Sequence, residues 1–81
     1  MYHLYLIQSQ LDQSLYIGTT SDLRRRLLEH NAGFSEFTST KRPWKLIYCE
    51  SYAIKNLAIR REKQLKRFAK SYAMLKRRLG L

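Results

Sequence analysis

The chain has 81 residues, ten of them aromatic, with 16 Lys or Arg against six Asp or Glu and a net charge of +10. A chain of this length builds one modest core, so we expect a single domain over residues 1–81 with a globular composition. The lone cysteine excludes an internal disulfide and a cysteine-rich zinc site. No apolar run is long enough to cross a membrane and no signal peptide is evident, so we expect a cytoplasmic protein without a membrane partner.

The positive charge is concentrated in the last third of the chain. Residues 1–54 contain six basic and five acidic side chains, whereas residues 55–81 contain ten basic side chains and one acid, Glu62. This asymmetry is typical of proteins that bind a polyanion, most simply nucleic acid. A solubilising surface, at the ribosome for example, would give the same composition.

Three segments predict strands, namely residues 2–8 (YHLYLIQ), 15–19 (LYIGT) and 44–50 (WKLIYCE). The six polar residues between the first two predict a hairpin loop. Residues 34–43 have loop composition, and Pro43 limits the start of the third strand.

Helical spacing predicts one helix between the second and third strands and two after the third. The first helix should take Ser21 or Thr20 as its cap and end at Gly33, the second should begin at Ile54, and Ser71 is a candidate cap for the last. The apolar positions expected to face the sheet are Leu23, Leu27, Leu28, Ile54, Leu57, Ala58, Leu65, Phe68, Ala73, Met74 and Leu75. The order β-β-α-β-α-α predicts an α+β fold with a small, three-stranded, mainly antiparallel sheet flanked by helices.

Two polar residues on the first helix border its buried side. Arg26 and His30 each follow a leucine by three positions, so their side chains should stack at the edge of the apolar stripe. For this pair taken alone, packing of the arginine stem and a local hydrogen bond of the histidine are the more common explanation. Tyr5 and Tyr16 on the strands, each taken alone, are also more typical of core aromatics with the hydroxyl at the edge.

Glu62 borders the buried stripe of the second helix, three positions before Leu65. A single carboxylate among ten cations is either a structural partner for Arg61 or Lys66, or a metal ligand. Helical spacing also places Arg61 near the middle of the apolar side, where its stem would have to extend past the sheet edge.

Together these positions resemble the GIY-YIG endonuclease superfamily, and in particular its small stand-alone members. Tyr16-Ile17-Gly18 matches the second half of the signature, while His3-Leu4-Tyr5 keeps only the tyrosine of the first half. Arg26, His30 and Glu62 stand where the family carries its arginine, its histidine or tyrosine, and its metal-binding glutamate. The shared pattern continues through DLRRRLLEHNAG, TSTKRPWKLIYCE and AIRREKQLKRF and so covers the whole chain.

The resemblance implies a metal-dependent endonuclease that hydrolyses phosphodiester bonds in DNA, structure-selective or weakly selective. Glu62 would hold Mg²⁺ or Mn²⁺, and Arg26 would offset charge on the transition state. Tyr16 or His30 would orient or deprotonate the attacking water, with support from the Tyr5 hydroxyl. In the same picture Gly18 lets the chain pass close to the phosphate.

Two departures from the family pattern bear on catalysis. Many family nucleases carry a lysine shortly after the YIG, where this chain has Thr19 and Thr20. Many also carry a late asparagine, and none follows Asn56 here. The second shell of the metal should therefore differ from that of those nucleases.

The expected partner is nucleic acid, and any sequence preference would come from a protein partner or from the shape of the nucleic acid. The candidates for contacts with the phosphate backbone are Lys41, Arg42, Lys55, Arg60, Lys63, Lys66, Arg67 and Lys70. Two alternatives remain open, a non-catalytic nucleic-acid-binding module of the same fold and an accessory protein that docks on an acidic protein or the ribosome.

Overall fold

The structure, a computed structural model, describes residues 1–81 and contains three strands, three α-helices and one short 3₁₀ turn. In chain order these are β1 (Tyr2–Ser9), β2 (Leu15–Thr20), α1 (Leu23–Ala32), the turn (Ser39–Lys41), β3 (Trp44–Tyr52), α2 (Lys55–Arg67) and α3 (Ala69–Arg78). The predicted α+β class and the order of strands and helices are confirmed. No helix combines the length and the apolar character that crossing a membrane requires.

β1 is the central strand of an antiparallel sheet with the order β2-β1-β3. Its side chains alternate between two apolar clusters, as the two-residue period of a strand requires. Leu4 and Leu6 join Leu65 and Leu75 of the last two helices, whereas Tyr5 and its neighbours pack with α1. The sheet is therefore covered by α2 and α3 on one face and by α1 on the other.

α1 begins one residue later than the sequence predicts. Asp22 is the N-cap, and its carboxylate accepts a hydrogen bond from the backbone N–H of Arg25 at 3.0 Å, so the predicted caps Ser21 and Thr20 are wrong. Gly33 ends the helix with φ of 85°, as predicted. Leu28, predicted to face the sheet, is exposed because it lies outside the stripe that packs on β1.

The apolar stripe of α2 is narrower than its sequence indicates. Ala58 and Leu65 are buried, but Ile54 and Leu57 are exposed because they lie at the start of the helix, beyond the sheet. Phe68 is exposed because the helix ends at Arg67 and the chain turns there into an extended conformation.

α3 begins at Ala69, so the predicted cap Ser71 lies inside the helix. Leu75 is its one buried residue, whereas Ala73 and Met74 are exposed. The helix therefore contacts the core through Leu75 and the partly buried Tyr72 and Leu79, which leaves Arg77 and Arg78 exposed.

Candidate active site

Tyr5 lies at the centre of the sheet, directly opposite Gly18 in the β1–β2 register, and is 3% exposed. Its ring covers the position that a side chain at Gly18 would fill. A Cβ built there would lie 2.5 Å from Cζ of Tyr5 and 2.9 Å from Cε1, distances that real Cβ atoms do not show. The glycine is therefore required by the neighbouring ring, and not only by the approach of a phosphate that the resemblance implies.

Gly18→Ala should destabilise the protein by about 1–3 kcal/mol, because the added methyl group displaces the Tyr5 ring from a packed site. Urea unfolding measures this loss. Adding Tyr5→Ala to the same chain removes the clashing ring, so the double variant should lose less than the sum of the two single losses. Strict additivity, or a Gly18→Ala variant as stable as the wild type, would show that the ring does not restrict this position.

His30 is fully buried, and both ring nitrogens are hydrogen-bonded within the protein. Nε2 lies 2.8 Å from the Tyr5 hydroxyl, and Nδ1 lies 2.7 Å from Oγ1 of Thr38. The prediction that His30 stands at the edge of the buried side is therefore wrong, and neither nitrogen is free to contact water. Thr38, in the loop after α1, is a site residue that the sequence pattern does not reveal.

Burial lowers the pKa of His30 to about 4, and the nearby positive charge of Arg26 acts in the same direction. The imidazole is therefore neutral at physiological pH. A neutral ring donates one hydrogen bond and accepts one, which matches its two partners.

The free energy of unfolding should fall by about 2 kcal/mol between pH 7 and pH 5. The unfolded histidine takes up a proton near its ordinary pKa of 6.5, whereas folded His30 stays neutral down to about pH 4. The unfolded state binds more protons throughout this window, so stability rises with pH. His30→Gln should flatten the profile and the control His3→Gln should retain it, as measured by urea unfolding at both pH values; a slope that survives in His30→Gln contradicts the assignment.

Tyr16 lies beside both of these residues at the edge strand of the sheet. Its ring centroid is 6.5 Å from that of Tyr5, 5.2 Å from that of His30 and 6.4 Å from that of Trp44. Tyr16 is half-buried, whereas Tyr5 is enclosed. Of the two signature tyrosines, Tyr16 is therefore the one that solvent reaches.

Arg26 reaches the same group of side chains from α1. Its Nη1 donates to Oε1 of Glu29 at 3.1 Å, and its side chain is 31% exposed. Burial raises the pKa of Tyr5 to about 12 against the opposing effect of Arg26, and the negative charge of Glu62 adds to the rise. The Tyr5 hydroxyl therefore stays protonated at physiological pH. The exposed part of the Arg26 side chain is accessible to a ligand. The three-residue spacing of Arg26 and Glu29 could have indicated their pairing.

Of the two structural partners predicted for Glu62, the structure shows Lys66 and not Arg61. Lys66 Nζ lies 2.9 Å from Glu62 Oε2 and 5.9 Å from the centroid of the Tyr16 ring. The Glu62 side chain is 21% exposed, so its carboxylate is accessible. Lys66 therefore lies between the Glu62 carboxylate and the Tyr16 ring.

Arg61 is occupied elsewhere. It binds the carboxylate of Glu50 at 3.0 Å, and Glu50 also accepts hydrogen bonds from Tyr48 and Tyr52 at 2.6 Å each. Burial opposes ionisation of Glu50, but the bonds from Arg61 and the two tyrosines lower its pKa. This network joins α2 to β3 and explains how an arginine is accommodated near the apolar side of the helix.

The five predicted site residues come from both faces of the sheet. Tyr5, Tyr16 and the α1 residues Arg26 and His30 lie on one face, whereas α2, which carries Glu62, packs on the other. β2 is an edge strand, and at this edge the Lys66 ammonium group lies close to both the Glu62 carboxylate and the Tyr16 ring. Glu62 therefore approaches Tyr16 through Lys66 at the β2 edge, whereas Tyr5 and His30 are buried on the sheet face that α1 covers.

The Glu62 carboxylate at the β2 edge suits a hard cation that is bound together with a phosphate group of the substrate. The structure contains no group of three His, Cys, Asp or Glu side chains that could hold a metal ion by themselves. Mg²⁺ is commonly held by one or two carboxylates, with waters and substrate phosphate completing its shell. Glu62 fits that role because its carboxylate is accessible and its one partner, Lys66, is half-exposed and can move aside.

The predicted phosphate-contacting side chains divide into free and engaged groups. Lys41 pairs with Asp12 at 3.2 Å, and Lys55 lies 5.5 Å from the centroid of the Tyr2 ring. Arg42 donates to the carbonyl of Ser39. Lys66 pairs with Glu62, and the exposed remainder without an acidic partner, Arg60, Lys63, Arg67 and Lys70, lies on α2 and at the start of α3.

The GIY-YIG catalytic domain family matches residues 1–77, and the chain belongs to this family. A UPF0213 protein of Staphylococcus haemolyticus is 37% identical over 70 residues, which cover 85% of this chain and 84% of the relative. A UPF0213 protein of Halobacterium salinarum is 38% identical over 72 residues, which cover 88% and 92% respectively. The solution NMR structure of a UPF0213 protein from Bacillus halodurans is similar, with a TM-score of 0.56 and 26% identity over 94% of this chain and 84% of that one.

Family membership confirms the resemblance drawn from Tyr16-Ile17-Gly18 and the residues around it. It defines a nuclease-type fold, and proteins of this family are generally endonucleases that use a divalent metal and act on nucleic acid. The similar small proteins bear UPF0213 names, which state no activity.

Proposed function

We propose that this protein is a divalent-metal-dependent endonuclease that hydrolyses phosphodiester bonds in DNA, with weak or structure-based selectivity. The observation that carries the proposal is the link from an accessible carboxylate, Glu62, through Lys66 to Tyr16, with the charges of Arg26 and Glu62 both close enough to act on Tyr5. Binding alone requires cations but no acid. Residues 55–81 contain one acid among ten cations, and this acid lies near the β2 edge that carries Tyr16. This arrangement supports hydrolysis over binding alone.

Glu62 would hold Mg²⁺ or Mn²⁺ in this proposal. The ion would supply charge neutralisation at the phosphate. Lys66 changes partner when the carboxylate takes this role, and its ammonium group becomes available to a neighbouring phosphate.

Arg26 offsets the charge that develops on the phosphate oxygens. Its planar guanidinium carries several donors in a fixed geometry, and Glu29 fixes one end of it. Tyr16 orients the attacking water through its phenolic oxygen, because it is the more accessible of the two tyrosines. The water oxygen attacks phosphorus and releases a proton to the surrounding solvent, while the bond to the leaving sugar oxygen breaks and that oxygen takes up a proton from solvent.

His30 acts through Tyr5 and does not contact water. The buried Thr38 hydroxyl has no hydrogen-bond partner except Nδ1 of His30, so it donates its proton there. The neutral ring then carries its own proton on Nε2 and donates it to the Tyr5 oxygen. These hydrogen bonds fix the buried Tyr5 ring beside Tyr16, so Thr38 and His30 are positioning residues.

A panel of labelled DNA substrates tests the proposal directly. Purified protein should cut one or more of linear, nicked, flapped and branched DNA when Mg²⁺ or Mn²⁺ is present, and should cut none in excess chelator. Cleavage that persists in chelator, or no cleavage of any substrate with either metal, contradicts the proposal. Competition with RNA of the same shapes measures the preference for DNA.

Affinity for duplex DNA should fall steeply with salt. Each phosphate neutralised by a basic side chain contributes a slope of about −0.9 to log K against log salt concentration. Engagement of the four free cations on α2 and α3, with Lys66 as a fifth once it leaves Glu62, should therefore give a slope of about −3.5 to −4.5. Fluorescence anisotropy at several salt concentrations measures it, and a flat profile would exclude a phosphate-contacting surface.

A non-catalytic nucleic-acid-binding module is the second candidate. The observations that favour it are the ion pair of Glu62 with Lys66, which neutralises the one acid of the site, and the lack of any further carboxylate beside it. Such a module would show the salt dependence but no metal-dependent cleavage in the substrate panel.

A further inference from the structure

We propose that the outer face of α2 is a binding groove for single-stranded DNA, in which an unpaired base stacks on Phe68. The groove has a volume of about 630 Å³ and lies on the helix face away from the sheet. The residues that line it include Asn56, Ile59, Arg60, Lys63, Arg67 and Phe68. The proposal names the kind of substrate that the endonuclease site acts on, and it rests on that proposed function only for its connection to cleavage.

The charges of the groove match a nucleic-acid backbone. Arg60, Lys63 and Arg67 recur at intervals of three and four residues, so all three project from the same helix face over about 10 Å of its axis. None of the three forms an ion pair with an acid. Three unpaired cations in a row therefore offer a continuous path for successive phosphates.

Phe68 provides the aromatic surface that such a groove requires. Its side chain is 55% exposed, because α2 ends at Arg67 and the chain turns there. Proteins that bind single strands combine a cationic groove with aromatic rings on which unpaired bases stack. Paired bases within a duplex do not expose a face to such a ring, so Phe68 favours single-stranded over double-stranded DNA.

The groove is continuous with the candidate active site. Lys63 and Arg67 line both this groove and the adjacent depression that contains Glu62 and Lys66. A strand held along α2 therefore passes next to the Glu62 carboxylate. The preferred substrate on this basis is DNA with a single-stranded segment beside the cleaved bond, such as a flap or a branch.

Phe68→Leu tests the stacking contact while retaining an apolar side chain at the site. Its affinity for a labelled 12-nucleotide oligo(dT) should fall about 10-fold in fluorescence anisotropy, whereas its affinity for a blunt duplex should change less than twofold. Phe37→Leu is the matched control, because Phe37 is 81% exposed and lies in the loop before β3, away from α2. This control should bind both DNAs as the wild type does.

Two further measurements distinguish base stacking on Phe68 from a general attraction to negative charge. An oligonucleotide with one 5-iododeoxyuridine should photocrosslink to Phe68, and poly-glutamate of equal charge should compete poorly with oligo(dT). Equal loss of single-strand and duplex affinity in Phe68→Leu, a crosslink elsewhere, or effective competition by poly-glutamate overturns the proposal. All three use binding alone, so a protein that binds in this way but never cleaves DNA would contradict the endonuclease and leave the groove established.

Discussion

Glu62→Gln should lower the rate of metal-dependent DNA cleavage by at least about 10²-fold, in line with the loss of a single charge-stabilising group from other active sites. The amide is nearly the same size as the carboxylate but is a poor ligand for a hard cation. The substitution also frees Lys66 and removes one negative charge, so DNA affinity should stay the same or increase slightly. Single-turnover cleavage and anisotropy on the same DNA measure the two effects separately.

Glu36→Gln is the matched control for this variant, because Glu36 lies exposed in the loop after α1. It should cut DNA at the wild-type rate. If the wild type and Glu62→Gln cut DNA at the same rate, the observed cleavage comes from another site or from a contaminating nuclease.

Arg26→Lys should reduce the cleavage rate by about 10²–10³-fold while leaving the fold intact. Lysine retains the charge but lacks the planar set of donors that contacts two phosphate oxygens at once. The Arg26 side chain is only partly buried, so the shorter lysine should cost little stability. The rate constant with saturating DNA measures the effect, and urea unfolding verifies the fold.

Arg25→Lys provides the comparison within the same helix. Arg25 also lies near Glu29, with Nε at 3.8 Å from its carboxylate, but its side chain is 70% exposed. Cleavage should be close to the wild-type rate in this control. An equal loss in both variants would indicate a general effect of charge on α1 and would remove Arg26 from the proposed chemistry.

The strands and their order were predictable because their signals are local. Alternating apolar side chains, the polar hairpin loop and the glycine after α1 each act over a few residues. The grouping of Tyr5, Tyr16 and Arg26 was also predictable, since the family spacing places all three on adjacent elements. In these regions, local preference and tertiary packing lead to the same structure.

The remaining features depend on contacts that sequence spacing does not encode. Thr38 reaches His30 from an irregular loop, and Glu50 meets Arg61 across eleven positions. The complete burial of His30 follows from where that loop packs and not from the helical period. Phe68 continues the apolar spacing of α2 but is exposed, because the helix stops one residue earlier.

The central claim is that Glu62 anchors a divalent cation beside Tyr16 at the β2 edge. Paramagnetic Mn²⁺ broadens nearby amide signals, so a titration of ¹⁵N-labelled protein bound to a short duplex locates the ion. We expect broadening centred on residue 62 and on the β2 residues around Tyr16, and its loss in Glu62→Gln. Broadening that centres on Asp12 or Glu36, or that is unchanged in the variant, would contradict the account.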